Sequence, residues 1–447
     1  MSIEQYRRRI ENITFAEEVC KNYRRKVRIN NYIPGQVIYN LGEYPARFSI
    51  RPTEYDEKRI AELAQKGVGL IQIHEEWNDA LRVLGADKYS SHDPEGLKAF
   101  LRLCHAYNIK VLPYISSGYF DLRDPDYTEK FVRTHRADLL ANHFRYARGN
   151  AGSPEWNEYL MGHMKKMLDE YEFDGIFNDT GYDRVNPRGE LYGETGNVGE
   201  YDPYYEDLLA RMYQEVKRRG GIVKVHQRGI SFVETRERVY DYLWVGECVK
   251  NPREIQKTVQ FDPYIIFCPD YRFSPIQRAE QYFAMTIPFL QFVLRTDGRP
   301  VTGERIRVEG IDYIHDDDET RHYEKVQQYH ATHPNGPYVY SEWSAIPDDE
   351  DFREKWFYYL DLYRPMVQEN SLCYMDFRES PLFLENLPKN VHATVYVNEV
   401  CYLCVSNLGE GTEEILLSSP WKNRESGEIV TRVSLPAGAI RFFEKTE

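Results

Sequence analysis

From residue 55 the chain repeats one pattern: an amphipathic helix, a short cap, a brief β-rich run, then a polar and aromatic loop. An amphipathic helix buries its apolar stripe only against another layer, and short apolar runs alternating with such helices build parallel βαβ units. Residues 56–66 read as a helix that leads through Gly67 into the run 69–74, GLIQIH. Asp93 caps a second helix with Pro94 at its first position and Leu97, Phe100, Leu101 and Cys104 on one face, and the run 110–115, KVLPYI, follows. Ser153 and Pro154 open a third helix, whose stripe of Trp156, Leu160, Met164, Met167 and Tyr171 leads into 174–179. Leu208, Leu209, Met212 and Val216 line a fourth, stopped by Gly220 and Gly221 before 222–227.

Runs 242–247, 264–268 and 286–294 continue the series, and 144–148 is admitted as a third strand to bring the count to eight. Eight parallel strands with intervening helices predict a closed (β/α)8 TIM barrel, an α/β fold, in place of an open doubly wound sheet. No glycine-rich turn follows the first run, so a dinucleotide fingerprint is absent. Residues 353–364 read as the closing helix, with Trp356, Phe357 and Leu360 inward and Pro365 as its stop. After about residue 375 the pattern alternates with period two, and turns at 398–399, 409–411 and 426–427 predict a small antiparallel β-sandwich. The expected division is an N-terminal segment 1–54 packing on the barrel as a lid or dimer contact, a catalytic barrel 55–370 and a C-terminal sandwich 371–447.

Composition narrows the partners. A net charge of −14 over 447 residues argues against a nucleic-acid backbone, which needs clustered Lys and Arg. No run of about 18 apolar residues occurs and the start lacks an apolar leader core, so no membrane association and a cytoplasmic, soluble protein are expected. Seven scattered cysteines read as reduced, buried thiols. Tyr numbers 36 and aromatics reach 14%, a surplus that suits carbohydrate, whose C–H faces pack on rings and whose hydroxyls bond phenols. No cofactor and no metal are expected, because neither an H-x-H nor an H-E-x-x-H arrangement occurs and the acidic run 315–319 reads as a solvated loop. Assembly into a homo-oligomer stays open.

In a barrel of this type the catalytic face is the C-terminal end of the strands. The stretch 173–184, FDGIFNDTGYDR, delivers Asp179 to such an end, and 240–248, YDYLWVGEC, delivers Glu247. Hydrolysis of an acetal needs one carboxyl group to protonate the leaving oxygen and one carboxylate to meet the oxocarbenium-like carbon, with surroundings that separate their pKa values. Glu247, behind Trp244 and Val245, has the more apolar context and is assigned as general acid/base, with Asp179 as nucleophile. The swapped assignment, and inversion in place of retention, stay open at this level. Glu76, Trp77, Asp183, His226, Arg228, Asp270 and Arg272 lie at the other strand ends as candidate substrate contacts, Trp77 as a sugar platform and Asp270 as a reserve acid. The structural alternatives are Asp179 capping a helix and Glu247 pairing with Arg228 or Arg272.

The stretch 67–77, the helix with KVLPYIS, and DGIFNDT together resemble the barrel of the α-galactosidase (melibiase-like) and α-glucosidase-like glycoside hydrolases, over roughly residues 55–300. The resemblance implies a retaining mechanism with an Asp nucleophile ending the fourth strand, matched by Asp179, and an acid/base ending the sixth. Glu247 matches the second by location only, since the group typically carries Asp there. Two other classes compete with a glycosidase, namely a non-catalytic carbohydrate-binding barrel and a metal-dependent barrel hydrolase.

Overall fold

The computed structural model of the chain describes residues 2–42, 49–78, 89–121, 124–132, 138–140, 144–179, 203–227, 237–246, 262–268, 279–300, 328, 331–333 and 350–446. Its parallel sheet runs in the order Phe292–Val293, Ile265–Phe267, Tyr242–Val245, Ile222–Gln227, Gly175–Asp179, Lys110–Ser116, Leu70–Ile73, Gln36–Asn40, Arg295–Gly298. The two end strands are separated along the chain by Leu294 alone, and the sheet is a nearly closed barrel, the expected α/β class. A separate seven-stranded sheet is antiparallel. By compactness the chain divides into residues 36–245 with 295–348, and residues 1–35 with 246–294 and 349–447.

Within the first unit, the helix signals hold where they were read. Thr53 and Asp56 form a capping box on Glu54–Gln65, Asp93 accepts from Gly96 N at the head of Pro94–Ala106, and Ser153 caps Pro154–Glu170. The apolar stripes of the last of these and of Pro203–Arg218 are buried along their length. At the foot of the strand Gly175–Asp179, Asp174 ties two neighbours together. Its Oδ2 accepts from Val111 N at 2.8 Å, its N–H donates to Val111 O at 3.0 Å, and its carbonyl accepts from Ile222 N at 2.8 Å. Asp241 repeats the device one strand pair further on, exchanging both bonds with Val223 at 2.8 Å.

Gly175 sits at φ 146, and a Cβ there would lie 1.9 Å from the carbonyl oxygen of Ile222. Only glycine lets the two backbones approach that closely with that φ. The register that results sets Gly175 beside Ile222 and, four residues on, Asp179 beside both Ser116 and His226.

Two strand readings before Asp179 need correction, and they cancel in the count up to that residue. Gln36–Asn40 is a barrel strand that the sequence pattern did not place there, paired with Leu70–Ile73 and Arg295–Gly298. Phe144–Arg148 is not a barrel member. It pairs antiparallel with Asp138–Leu140 and with Tyr119–Asp121, the latter beginning too soon after Ser116 for the crossover a parallel strand requires. Asp179 therefore still ends the fourth strand. The expected strand 286–294 is interrupted by a 3-10 turn, Ile287–Phe289, where Pro288 has no N–H to donate and Leu290 turns at φ 55; within 286–294 only Phe292–Val293 is a strand.

The second unit holds the antiparallel sheet, in the order Arg25–Arg28, Leu372–Phe377, Val391–Val397, Cys401–Asn407, Ile440–Lys445, Glu413–Asn423, Ile429–Leu435. The helix Ile3–Val19 packs on it, with Ala16 buried among Trp421, Val395 and Leu403. Residues 1–54 are thus not one segment: the first part joins this sheet and Gln36–Asn40 joins the parallel one. Glu350–Tyr363 is the helix expected near 353–364, with Trp356 and Leu360 fully buried. The described cysteines, Cys401 and Cys404 among them, are free thiols, and burial pushes Cys401 up to about 12.

Asp376 accepts from His392 Nδ1 at 2.7 Å and from Arg24 Nε at 3.2 Å. Burial pushes its carboxyl up, but the His392 hydrogen bond and the charges of His392, Arg24 and Arg378 outweigh it, and the carboxyl titrates below its ordinary value. A folded pKa below the unfolded one stabilises above the unfolded value of about 3.9 and is lost as pH falls through the folded value. Asp376→Asn is expected to flatten the loss of unfolding free energy below about pH 4, measured by urea titration across the acid range. Gly175→Ala is expected to cost about 2–4 kcal/mol by the same assay, from strain at positive φ plus backbone overlap.

Candidate active site

The register places Ser116, Asp179, His226 and Trp244 in one row across four adjacent strand ends. With period two, the row beneath contains Tyr114, Phe177, Lys224 and Tyr242. Tyr114 Oη donates to Asp179 Oδ2 at 2.5 Å, and His226 Nδ1 lies 3.4 Å from Asp179 Oδ1. Asp179 is 6% exposed and His226 3%, so one carboxylate oxygen is hydrogen-bonded by a buried side chain and the other faces one. The Ser116 hydroxyl donates to the backbone carbonyl of Asp179 at 3.1 Å, and Asn178 Oδ1 accepts from Ser117 N at 3.0 Å, which locks the strand end. Phe177 forms the floor, within 5.4–5.9 Å of His74, Tyr114, His226 and Trp244.

Trp244 meets His226 edge-on, ring centres 3.8 Å apart. Its indole N–H is buried and, among the described residues, has no acceptor. A donor kept dry in that state costs about 1–3 kcal/mol until something accepts from it. A hydroxyl-bearing ligand at the row would recover that cost.

Of the residues read from sequence, the structure brings Asp179 and His226 together. Glu76 is buried at 2% exposure on the turn Glu75–Trp77, whose position 76 carbonyl lies 2.9 Å from His92 Nε2. Trp77 is corrected. It is fully buried, its indole donates to Tyr114 O at 3.1 Å, and its ring meets Tyr171 and Phe173 edge-on, so it packs where a helix end joins a strand and offers no open face to sugar. Asp183, Arg228, Glu247, Asp270 and Arg272 lie outside the described residues. Glu247 follows Gly246, directly after the strand Tyr242–Val245. Among the described residues no three His, Cys, Asp or Glu side chains gather in a metal-ligating group, and no helix is long and apolar enough to cross a membrane.

Tyr114, Lys224 and Gln72 were missed as site residues, and Trp244 was read only as apolar context. The signal was the period-two alternation itself: Gln72 and His74, Tyr114 and Ser116, Phe177 and Asp179, and Lys224 and His226 each share one face of a strand.

No family model matches the chain, and no curated protein matches it. Solved structures do. An alpha-glucosyl transfer enzyme, XgtA, superposes with TM-score 0.58 at 10% identity over 93% of this chain and 99% of that one. The alpha-amylase of Geobacillus thermoleovorans complexed with acarbose gives 0.53 at 11% over 94% and 100%. The GH36 alpha-galactosidase AgaA of Geobacillus stearothermophilus gives 0.50 at 11% over 91% of this chain and 55% of that one. At such identities the likeness concerns the fold alone, a barrel with a separate antiparallel sheet.

Trp77→Ala is expected to lower the unfolding free energy by about 3–5 kcal/mol through loss of core packing. A sugar platform would behave in the opposite way, with stability kept and carbohydrate affinity reduced.

Proposed function

We propose that the chain is a glycoside hydrolase that cleaves α-linked glycosides with retention, Asp179 serving as nucleophile and Glu247 as general acid/base. The observation that carries the reading is the Asp179 carboxylate, held by Tyr114 at 2.5 Å and flanked by His226 at 3.4 Å at the end of the fourth barrel strand. A nucleophile must arrive in one orientation, and two buried side chains on neighbouring strands supply that orientation before substrate binds. The similar structures whose names carry an alpha-linked activity support the choice of α-glycosides as the first substrates to test.

In the proposed reaction Glu247 gives its proton to the glycosidic oxygen as the bond to the anomeric carbon breaks, and Asp179 Oδ forms an ester to that carbon. Glu247, now ionised, takes a proton from water, the water oxygen attacks the anomeric carbon, and Asp179 leaves as carboxylate. Tyr114 donates to Asp179 while it is charged, and the hydrogen bond weakens as the ester forms. His226 and Trp244 are assigned to sugar hydroxyls. Asp183, Arg228, Asp270 and Arg272, which follow strands in the sequence, and Glu76 are proposed as further contacts, and the substrate is taken to be an oligosaccharide or small glycoside.

A screen of aryl glycosides in both anomeric series tests this. Asp179→Asn is expected to lower kcat/KM by more than about 10⁴-fold, as loss of a nucleophile does. Glu247→Gln is expected to cost about 10²–10⁴-fold on poor leaving groups and far less on activated aryl ones, which depart without a proton. Full activity of Asp179→Asn on every glycoside cleaved would contradict the assignment. Sugar binding with no turnover in the wild type would move the chain to the binding barrels.

A further inference from the structure

Lys224 is fully buried, and its side chain reaches a strand three places away in the sheet order, where Nζ donates to Gln72 Oε1 at 3.0 Å. Gln72, also fully buried, places its Nε2 2.9 Å from His74 Nε2. An ammonium has only donors, so the amide oxygen of Gln72 must face Lys224 and its NH2 must face the histidine. The NH2 likewise has only donors. His74 Nε2 must then accept, and the ring carries its proton on Nδ1. The ring stands 6.0 Å from that of Tyr114, which bonds Asp179.

We propose that Lys224 and Gln72 are positioning residues that fix His74 as its Nδ1–H tautomer, so that this ring presents a donor, never an acceptor, to an acceptor oxygen of a ligand at the strand-end row. The reason for a lysine in this interior follows. Glutamine alone can turn its amide by half a rotation and serve either tautomer. A cation on its far side removes that freedom, and the cost of burying the charge is offset only if its bonds are kept. A Met or Leu at 224 would fill the space and leave the tautomer unset. The ligand contact rests on the glycosidase reading; the tautomer does not.

Histidine-selective ¹⁵N labelling with two-bond proton–nitrogen correlation reads the tautomer directly, with His74 assigned from the spectrum of His74→Gln. The wild type, without substrate, is expected to show Nδ1 protonated and Nε2 bare. A proton on Nε2 in the wild type would overturn the proposal whatever the variants do. Gln72→Glu is expected to bring a proton to Nε2, because a carboxylate accepts from both neighbours, and an Nε2 that stays bare there would equally overturn it. Lys224→Met is expected to give a mixture of the two tautomers. On a glycoside the wild type cleaves, Gln72→Glu is expected to raise KM about tenfold with kcat within about twofold, the signature of a ground-state contact. An unchanged KM with the tautomer moved would remove the ligand contact and leave the proton assignment standing, and absence of any glycosidase activity in the wild type would fail the earlier reading alone.

Discussion

Asp174 and Gly175 hold the foot of the fourth barrel strand against both its neighbours, and everything at the other end of that strand is placed by them. The aspartate exchanges two hydrogen bonds with Val111 on one side, and the glycine admits the Ile222 backbone on the other. Parallel pairing has no hairpin to set its register, so a slip of one residue would carry Asp179 to the opposite face of the sheet. With the foot pinned on both sides, four residues of extended chain bring the carboxylate to Ser116 and His226. Asp241 exchanges the same pair of bonds with Val223, on one side, at the foot of the strand that carries Trp244. The placement of the side chains at the strand ends depends on contacts made a strand-length below them.

The barrel interior is polar where such interiors are commonly filled by branched aliphatic side chains in layers. Gln72, Lys224, His226 and Asp179 are buried there, and the ring of His226 stacks on that of Phe177. Burying these groups is unfavourable unless each is bonded, and the bonds run as a connected set from Lys224 through Gln72 to His74, and from Tyr114 to Asp179. A stable barrel does not need such a set. The proposed site, which would hold its dipoles fixed before substrate arrives, would need one.

Much of the barrel was legible because its signals are local. Asp93 with Pro94 and Ser153 with Pro154 begin helices for reasons contained in a few residues, and the stripes at 156–171 and 208–216 bury as their spacing requires. What was not legible depends on partners distant in sequence. Gln36–Asn40 has the strand Arg25–Arg28, not a helix, directly before it and so broke the pattern used to find strands, although it pairs on both edges. Phe144–Arg148 looks the same as a barrel strand until its partners are known. Trp77 is flanked by polar residues that suggested an open ring, while Tyr171 and Phe173, almost a hundred residues on, close over it. Asp179 was found because a carboxylate ending a buried run is unusual by itself, whereas Lys224 inside a strand reads as an edge or surface residue until Gln72 is seen opposite it.

The assignment of Asp179 as nucleophile is tested most directly by trapping the ester it would form. On whichever α-glycoside the protein cleaves, the matching glycosyl fluoride bearing a second fluorine on the sugar ring slows hydrolysis of the intermediate, and peptide mass spectrometry locates the attached sugar. The sugar is expected on the peptide containing residue 179, at that side chain, with one equivalent bound per chain as activity is lost. Attachment to Glu247 or to any other residue, or turnover that inverts the anomeric centre with nothing attached, would contradict the account.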